Sequence, residues 1–313
     1  MKVTQAVLND IFKSFSARFN AGYNATVDPA DRESLRLEDL AMTIPSTGAA
    51  TDHTWLGQLP AMRKWEDTRT IKQLSIGKIT VVNEPWESTV ELPRTAIEDD
   101  SFGAFANLIE SMGIAANELW LDLAVKALKA NGEWADGNPF FCSGRKLSDT
   151  ITLTNAVTTA FSANAVETAI ADMRSWKLEE GRPANVLPKR LVVAPGLAAA
   201  ARRICNSDLI ATADGGTESN PLKGIVDYRI CNALPAGAWY LLGEVAGVKA
   251  VAVQQRKLPV LTRMDRETDD NVFMKNTYYY GTDARGEGFL TLPFLAYAGG
   301  MSSVPTWTDK SGG

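Results

Sequence analysis

The chain has 313 residues, 45% hydrophobic and 22% charged, which is enough apolar material for one large domain or two ordinary ones. Its formal net charge is −5, whereas proteins that grip nucleic acid phosphates are usually basic, so tight direct DNA binding is not expected. The three cysteines lie far apart and the single histidine, His53, is expected in a polar loop, which argues against disulfide frameworks, zinc sites and histidine-dependent catalysis.

An amphipathic helix is predicted over residues 1–20, where apolar side chains recur at four-residue spacing. These side chains are Val7, Ile11, Phe15 and Phe19. A polar stretch from Asn20 to Asp39 follows the helix. We therefore expect this segment to form an arm and to lie outside a compact core.

Residues 51–99 have the composition of a long β ribbon. Strands are predicted at 71–76 and 78–82, on either side of Gly77, and at 88–94, where polar and apolar residues alternate. A two-stranded ribbon is only marginally stable by itself in water. We therefore expect this ribbon to lie on a neighbouring copy of the chain, which would bury its tryptophans Trp55, Trp65 and Trp86.

The most strongly periodic segment is a long helix that follows Asp99, Asp100 and Ser101 and ends at Asn131-Gly132. Its apolar residues recur in steps of three and four: Phe102, Phe105, Ile109, Met112, Ala116, Leu119 and Leu123. At about 1.5 Å per residue the helix would be about 45 Å long. We interpret the two aspartates as helix caps; the alternative is a metal site or an acid–base pair.

The second half of the chain mixes helices with many short strands. Helices are predicted at 163–177 and 197–205, with a strand at 191–196 between them and a polar, glycine-rich loop at 213–224. Further strands are predicted at 225–231, 238–244, 249–255, 258–264, 271–281 and 288–298. Because helices and strands do not alternate regularly, the pattern indicates an α+β fold.

The stretch YYYGTDARGEGF at 278–289 raises the question of a phosphate loop, a catalytic pair or a turn. The chain contains neither GxGxxG nor GxxxxGK, so a nucleotide-binding enzyme built on this stretch and on LVVAPG at 191–196 is the weaker alternative. We expect turns between strands at Gly281, Gly286 and Gly288. We expect a solvated or intersubunit charge cluster at Asp283, Arg285 and Glu287.

Four segments, in this order along the chain, resemble the major head subunit of Mu-like tailed phages and prophages. They are WLGQLPAMRKW at 55–65, VNEPWESTVELPRTAIEDDSFG at 82–103, DGNPFF at 136–141 and YGTDARGEGF at 280–289. The resemblance implies the Hong Kong 97-like capsid fold. On this sequence it implies an N-terminal arm at 1–50, an extended loop at 51–98, a peripheral domain with a spine helix at 99–184, an axial domain at 185–262, and return strands with a tail at 263–313.

The resemblance also implies a function. It implies a structural protein, not an enzyme, that self-assembles into the hexamers and pentamers of an icosahedral head around double-stranded DNA, without sequence-specific DNA binding, cofactor, metal or membrane. Its other partners would be a separate scaffold, a protease and a portal, with a cement or decoration protein left open. The protein would be assembled in the host bacterial cytoplasm and reside in the virion. The alternative within this fold is an encapsulin-like nanocompartment that encloses cargo proteins.

Subunit contacts are expected along the extended loop and at the start of the spine helix. The apolar anchors would be Trp55, Trp65 and Trp86. The arginines Arg63, Arg69 and Arg94 are expected to pair, within the subunit or across the overlap, with acids such as Glu66, Glu87, Asp99 or Asp100. A pair of this kind that stays exposed to solvent would contribute only about 0–1 kcal/mol.

Overall fold

The computed structural model describes residues 4–25, 31–56, 76–98, 102–148, 150–178, 181–211 and 216–310. The α-helices within these ranges are α1 Gln5–Tyr23, α2 Leu37–Leu40, α3 Arg94–Glu98, α4 Phe102–Ala130, α5 Ala163–Ser175, α6 Ala198–Asn206 and α7 Asp270–Lys275. The strands are β1 Ala41–Pro45, β2 Ala50–Leu56, β3 Ile76–Val82, β4 Glu84–Pro93, β5 Arg145–Ser148, β6 Ile151–Leu153, β7 Leu187–Val193, β8 Leu209–Ala211, β9 Thr217–Ser219, β10 Asp227–Ile230, β11 Trp239–Val245, β12 Val248–Lys249, β13 Val251–Met264, β14 Thr277–Leu290 and β15 Ala296–Gly299.

The long predicted helix is α4. It runs for 29 residues, or about 44 Å at 1.5 Å per residue, and it has no β-branched run that would oppose helix formation. It ends where Asn131 takes a left-handed conformation with φ of 47°. The predicted caps at 99–101 lie outside the described residues. The apolar stripe of α4 covers a four-stranded sheet of order β1-β13-β14-β4, in which only the β1–β13 pair is parallel.

Helix α1 is part of the core, and the expectation that residues 1–20 stand apart from it was wrong. Its apolar face buries Leu8, Ile11, Phe15 and Phe19 against the middle of α4 and the tyrosines of β14. The Phe15 ring meets the Tyr280 ring edge-on, with 5.1 Å between centroids. The two helices cross closely, because a Cβ on α4 residue Gly113 would lie only 2.9 Å from the Tyr23 backbone nitrogen.

A second sheet of five strands has the order β10-β7-β11-β12, and β15 also pairs with β11, at Trp239–Leu242, whereas β12 pairs with Glu244–Val245. Strands β7 and β10 are parallel, and β11 is antiparallel to both β7 and β15. The interior of this sheet is fully apolar, with Leu191, Val193 and Trp239 each 0% exposed, and α5 supplies Val166 and Met173. One continuous hydrophobic cluster joins this sheet to the C-terminal half of α4.

Three predictions about the late strands need correction. The strands predicted at 249–255 and 258–264 are one strand, β13, whose register against β14 shifts between Gln255 and Val260. The first residues of the strand predicted at 271–281 form the short helix α7, which ends at Asn276 in a left-handed conformation. The last strand, β15, comes only after a 3-10 turn at Pro293–Leu295. The boundary expected at residue 262 falls inside β13, which belongs to the sheet under α4.

Candidate assembly surface

The part of the predicted ribbon that the structure describes is the antiparallel pair β2–β3. Its register runs from Ala50 opposite Val82 to Leu56 opposite Ile76, and the pair forms a two-stranded sheet of its own. Four of the predicted contact residues, Arg63, Trp65, Glu66 and Arg69, lie between its ends, outside the described residues. Trp55 lies in β2 opposite Gly77, and its side chain is not described.

Much of this ribbon is open to solvent. Thr54, Lys78 and Thr80 are exposed, and Val82 is 53% exposed. On the exposed face of the ribbon, the Asp52 carboxylate of β2 contacts two side chains of β3. It accepts a hydrogen bond from the Thr80 hydroxyl at 2.7 Å and pairs with the Lys78 ammonium at 2.8 Å. These bonds lower the pKa of Asp52. Exposed pairs of this kind add little stability, so they do not replace apolar cover for the ribbon.

The third strand predicted for the ribbon, at 88–94, belongs instead to the sheet under α4. It forms the end of β4, whose ten residues pair with β14 from Glu84 opposite Gly286 to Pro93 opposite Thr277. The sequence could not distinguish the two cases, because a ribbon strand and an edge strand with one buried face show the same alternation of polar and apolar residues. The ribbon therefore does not include the strand at 88–94, and the single residue Asn83 separates β3 of the ribbon from β4 of the sheet.

Trp86 lies on β4 and makes contacts within its own chain. Its indole nitrogen donates to the Gly286 carbonyl at 3.2 Å, and the Lys126 ammonium lies 5.3 Å from the ring centre. The half-buried ring borders an apolar groove to which α4 contributes Ala115 and Leu119. Trp86 is thus anchored to the subunit that carries it, and any contact with a neighbour would use the remaining exposed edge.

The remaining predicted contact residues divide into described and undescribed ones. Asp99 and Asp100 lie outside the described residues. The Glu87 carboxylate is exposed and accepts a hydrogen bond from the Thr89 hydroxyl at 2.8 Å. Arg94, the first residue of α3, donates its backbone N–H to the Asn276 carbonyl at 3.1 Å and borders the same cleft as Arg263, beside the start of α1. The pairing of these acids and arginines across subunits stays a prediction.

The expectation of turns at the glycines of YGTDARGEGF was wrong. The stretch lies within β14, a single 14-residue strand in the middle of its sheet. Its glycines instead permit close packing: a Cβ on Gly288 would lie 2.6 Å from the Leu123 carbonyl carbon of α4, and one on Gly286 would lie 2.7 Å from the Trp120 ring. The sequence signal was ambiguous because glycine serves both close approach and turns.

Two of the three charged residues of the same stretch pair within the subunit. Asp283 pairs with Lys257 of the neighbouring strand β13, and the Glu287 carboxylate lies 3.5 Å from the Lys126 ammonium of α4. Asp283 and Lys257 are both about half exposed, so this pair lies on the surface of the sheet. The described ranges contain no group of three or more His, Cys, Asp or Glu side chains that could hold a metal ion.

Sequence reasoning missed a set of exposed apolar side chains on the far end of β13 and on α7. They are Leu258, Val260, Met264, Phe273 and Met274, and Phe273 is 81% exposed. On β13 the buried Leu261 lies between exposed positions. A signal was present, since a strand with apolar residues at both alternating sets of positions is typical of burial on both faces.

The cysteines are structural. Cys142, Cys205 and Cys231 are all buried and free, and burial raises the pKa of each thiol, that of Cys205 to about 11. A thiol held neutral in this way is a poor nucleophile and a poor metal ligand. Among the described helices, none is long and apolar enough to span a membrane.

Comparison with known proteins gives one consistent result. The family model described as "Mu-like prophage major head subunit gpT" matches residues 8–160, 151–234 and 229–302. The chain is 25% identical over 310 residues to the Mu-like prophage FluMu major head subunit of Haemophilus influenzae, covering 97% of this chain and 77% of that protein. It is 24% identical to the major capsid protein of Escherichia phage Mu, covering 98% and 78% respectively.

A solved structure shows the same fold. The chain in the procapsid of bacteriophage JBD30 matches with a TM-score of 0.55 and 24% identity, over 99% of this chain and 78% of that one. The match therefore includes both sheets and the long helix α4.

Proposed function

The chain belongs to the family of Mu-like prophage major head subunits, and we propose that its subunits join by laying the ribbon β2–β3 of one copy across a neighbour. It is a major capsid protein with the Hong Kong 97-like fold, and its place is in the shell of a phage head. The observation that supports the overlap is the ribbon itself: one face packs on the subunit's own sheet through Val81, whereas Thr54, Lys78 and Thr80 are exposed.

The two sheets have separate roles in this proposal. The four-stranded sheet with α1 and α4 is the peripheral domain, and α4 is its spine. The five-stranded sheet with α6 would be the axial domain, expected at 185–262. Helix α5 packs on this sheet and β15 pairs with it, so both would join the axial domain, although the sequence placed them in 99–184 and 263–313. The hairpin β8–β9 would point to the centre of a hexamer or pentamer. In such rings each contact joins two different surfaces, and rotation closes the set. Leu209 on β8 is 59% exposed and would supply an apolar side chain to the contact between neighbouring subunits of the ring.

We further propose that the closed shell holds double-stranded DNA without reading its sequence. The net charge of −5 is compatible with a container wall that DNA must enter and later leave. Scaffold, protease and portal would be separate proteins, a decoration protein stays an open possibility, and assembly would take place in the host cytoplasm. The protein would have no enzymatic role. The encapsulin-like alternative is not favoured, since the family model and both curated relatives are phage head proteins.

The ribbon overlap is tested by a matched pair of tryptophan variants. Trp65→Ala should leave the melting temperature of the free subunit unchanged and abolish shells in electron micrographs, because the overlap loses an apolar anchor. Trp86→Ala should lower the subunit's melting temperature, because this ring packs within its own chain. The double replacement should combine the two effects. Shells formed at normal yield by Trp65→Ala, and also after replacing residues 57–75 with a short glycine–serine turn, would refute the overlap.

The contents of the shell are tested separately. Particles purified from induced or infected cells and treated with nuclease should release protected double-stranded DNA. Particles that protect only proteins would favour the nanocompartment. Tight, salt-sensitive DNA binding by the free subunit would contradict the proposal that the shell encloses DNA without binding it tightly.

A further inference from the structure

The ribbon is tied to the sheet under α4 by a chain of hydrogen-bonded side chains from four segments. His53 Nε2 of β2 lies 2.6 Å from Gln254 Oε1 of β13. Gln254 Nε2 donates to Asn83 Oδ1 at 2.8 Å, and Asn83 Nδ2 donates to Ser46 Oγ at 3.0 Å. Ser46 Oγ lies 2.8 Å from Thr51 Oγ1, which returns the chain to β2.

Three of the four hydrogen bonds in this series have a defined direction. Gln254 uses its amide nitrogen toward Asn83, so its oxygen must accept and His53 Nε2 must carry the proton. The Ser46 oxygen accepts from Asn83, and either hydroxyl can donate in the bond between Ser46 and Thr51. Each group from His53 to Asn83 therefore donates to the next one, an arrangement in which hydrogen bonds strengthen one another.

These hydrogen-bonded side chains form a ring that begins and ends on β2. The ring includes one residue at each of the two connections between the ribbon and the rest of the subunit. Asn83 is the single residue between β3 and β4, and its backbone N–H donates to the Ala49 carbonyl at 2.9 Å. Ser46 directly follows β1, and its backbone N–H donates to the Gln255 carbonyl at 2.9 Å. A rotation of the ribbon against the sheet must therefore break side-chain bonds at one of these two connections.

The ring is also shielded from water. Gln254 is 0% exposed and Asn83 is 3% exposed, so a bond lost here leaves a buried polar atom without a partner. The His53 ring stacks on the Phe289 ring of β14, with 4.6 Å between centroids and 24° between planes. Phe289 belongs to a small apolar cluster with Val81 of β3. His53, expected in a polar loop, is thus a half-buried residue of β2 with a defined tautomer.

We propose that this ring, defined by His53, Gln254, Asn83, Ser46 and Thr51, is a latch that sets the direction in which the ribbon leaves the subunit. His53 is then a positioning residue for shell assembly. The assembly part of this inference rests on the ribbon overlap proposed above, whereas the latch itself is a property of the free subunit.

The latch is tested by measuring a distance in the unassembled subunit. Spin labels are placed on cysteines introduced at Thr54 of β2 and Glu91 of β4, two exposed positions. The distance between the labels changes when the ribbon rotates against the sheet. The native cysteines are buried and should not take up the label. Pulsed electron spin resonance should give one narrow distance distribution for the parent. His53→Phe keeps a ring against Phe289 but removes the donor, and it should widen the distribution about two-fold or more.

His53→Gln restores an N–H donor and should return the narrow distribution, which a purely structural loss of the imidazole would not allow. Thr51→Val, a milder change at the other end of the ring, gives the same test if His53→Phe does not fold. Unchanged widths in both His53→Phe and Thr51→Val would overturn the latch, whatever their particle yields. Widened distributions with normal shells would support the latch and count against the ribbon overlap.

Discussion

Replacing Gly288 with alanine should destabilise the subunit, because the new methyl group would press on the backbone of α4. The added Cβ would lie 2.6 Å from the Leu123 carbonyl carbon and 3.0 Å from the Ala124 nitrogen, whereas ordinary van der Waals contact begins at about 3.4 Å. Strand and helix would have to separate by close to 1 Å. Both belong to packed elements, so the strain has no flexible side chain to absorb it.

The magnitude follows from two opposing effects. Overpacking a close-packed interior costs about 1–3 kcal/mol. An alanine restricts the unfolded chain more than a glycine does, which returns about 0.4–1 kcal/mol. We therefore expect a net loss of about 1–2 kcal/mol in the free energy of unfolding. With an unfolding entropy of about 2.1 cal/mol/K per residue, this corresponds to a fall of about 2–3 °C in the melting temperature of the 313-residue chain.

The assay is thermal and urea unfolding of the unassembled subunit, followed by circular dichroism. Gly103→Ala is the matched control, since Gly103 lies in α4 and a Cβ there would meet no atom within 4 Å. It should leave stability equal or raise it by up to about 1 kcal/mol. If Gly288→Ala melts at or above the parent temperature, α4 does not approach β14 as closely as described and the packing argument fails.

Three further outcomes are expected for the free subunit. Phe15→Ala should cost about 3–5 kcal/mol in urea unfolding, because Phe15 is fully buried; a change near zero would restore the view of α1 as a detached arm. Ellman's reagent should find no reactive thiol in the native subunit and all three after unfolding, and rapid native reaction would contradict their burial. Burial raises the pKa of Tyr240 from 10.0 to about 12, because the folded protein favours the neutral phenol. This contribution to the free energy of unfolding is complete below pH 10, and about 2–3 kcal/mol of it is lost as the pH rises through 12. A urea midpoint that stays flat over that range would exclude this effect.

Local sequence patterns predicted most of the elements because their signals are local. The three- and four-residue periodicity defined α4 to within a few residues, and the strand predicted at 78–82 is the larger part of β3, which also includes Gly77. The four quoted motifs were enough to identify the family. Because the chain contains neither phosphate-binding motif, the sequence favoured a structural protein over a nucleotide-binding enzyme, and the family match supports the structural protein.

The candidate site was only partly predictable, because several of its features depend on which surfaces meet. Alternation in 88–94 marks a strand but does not say which sheet it joins, so β4 was placed in the ribbon. Trp86 is apolar in either arrangement, and only its contacts with Lys126 and Gly286 show that its own chain anchors it. The exposure of Phe273 on α7 became visible only in the structure.

By itself the sequence determined the family, the α+β character, the long helix and the presence of a ribbon, since each depends on residues close together in the chain. Tertiary structure alone decided that α1 belongs to the core, that the glycines of β14 admit α4, and that His53 meets Gln254 from 201 residues away. These are contacts between distant segments, and their partners are chosen by packing and by the pairing of buried polar groups. No spacing within a single segment specifies such a partner.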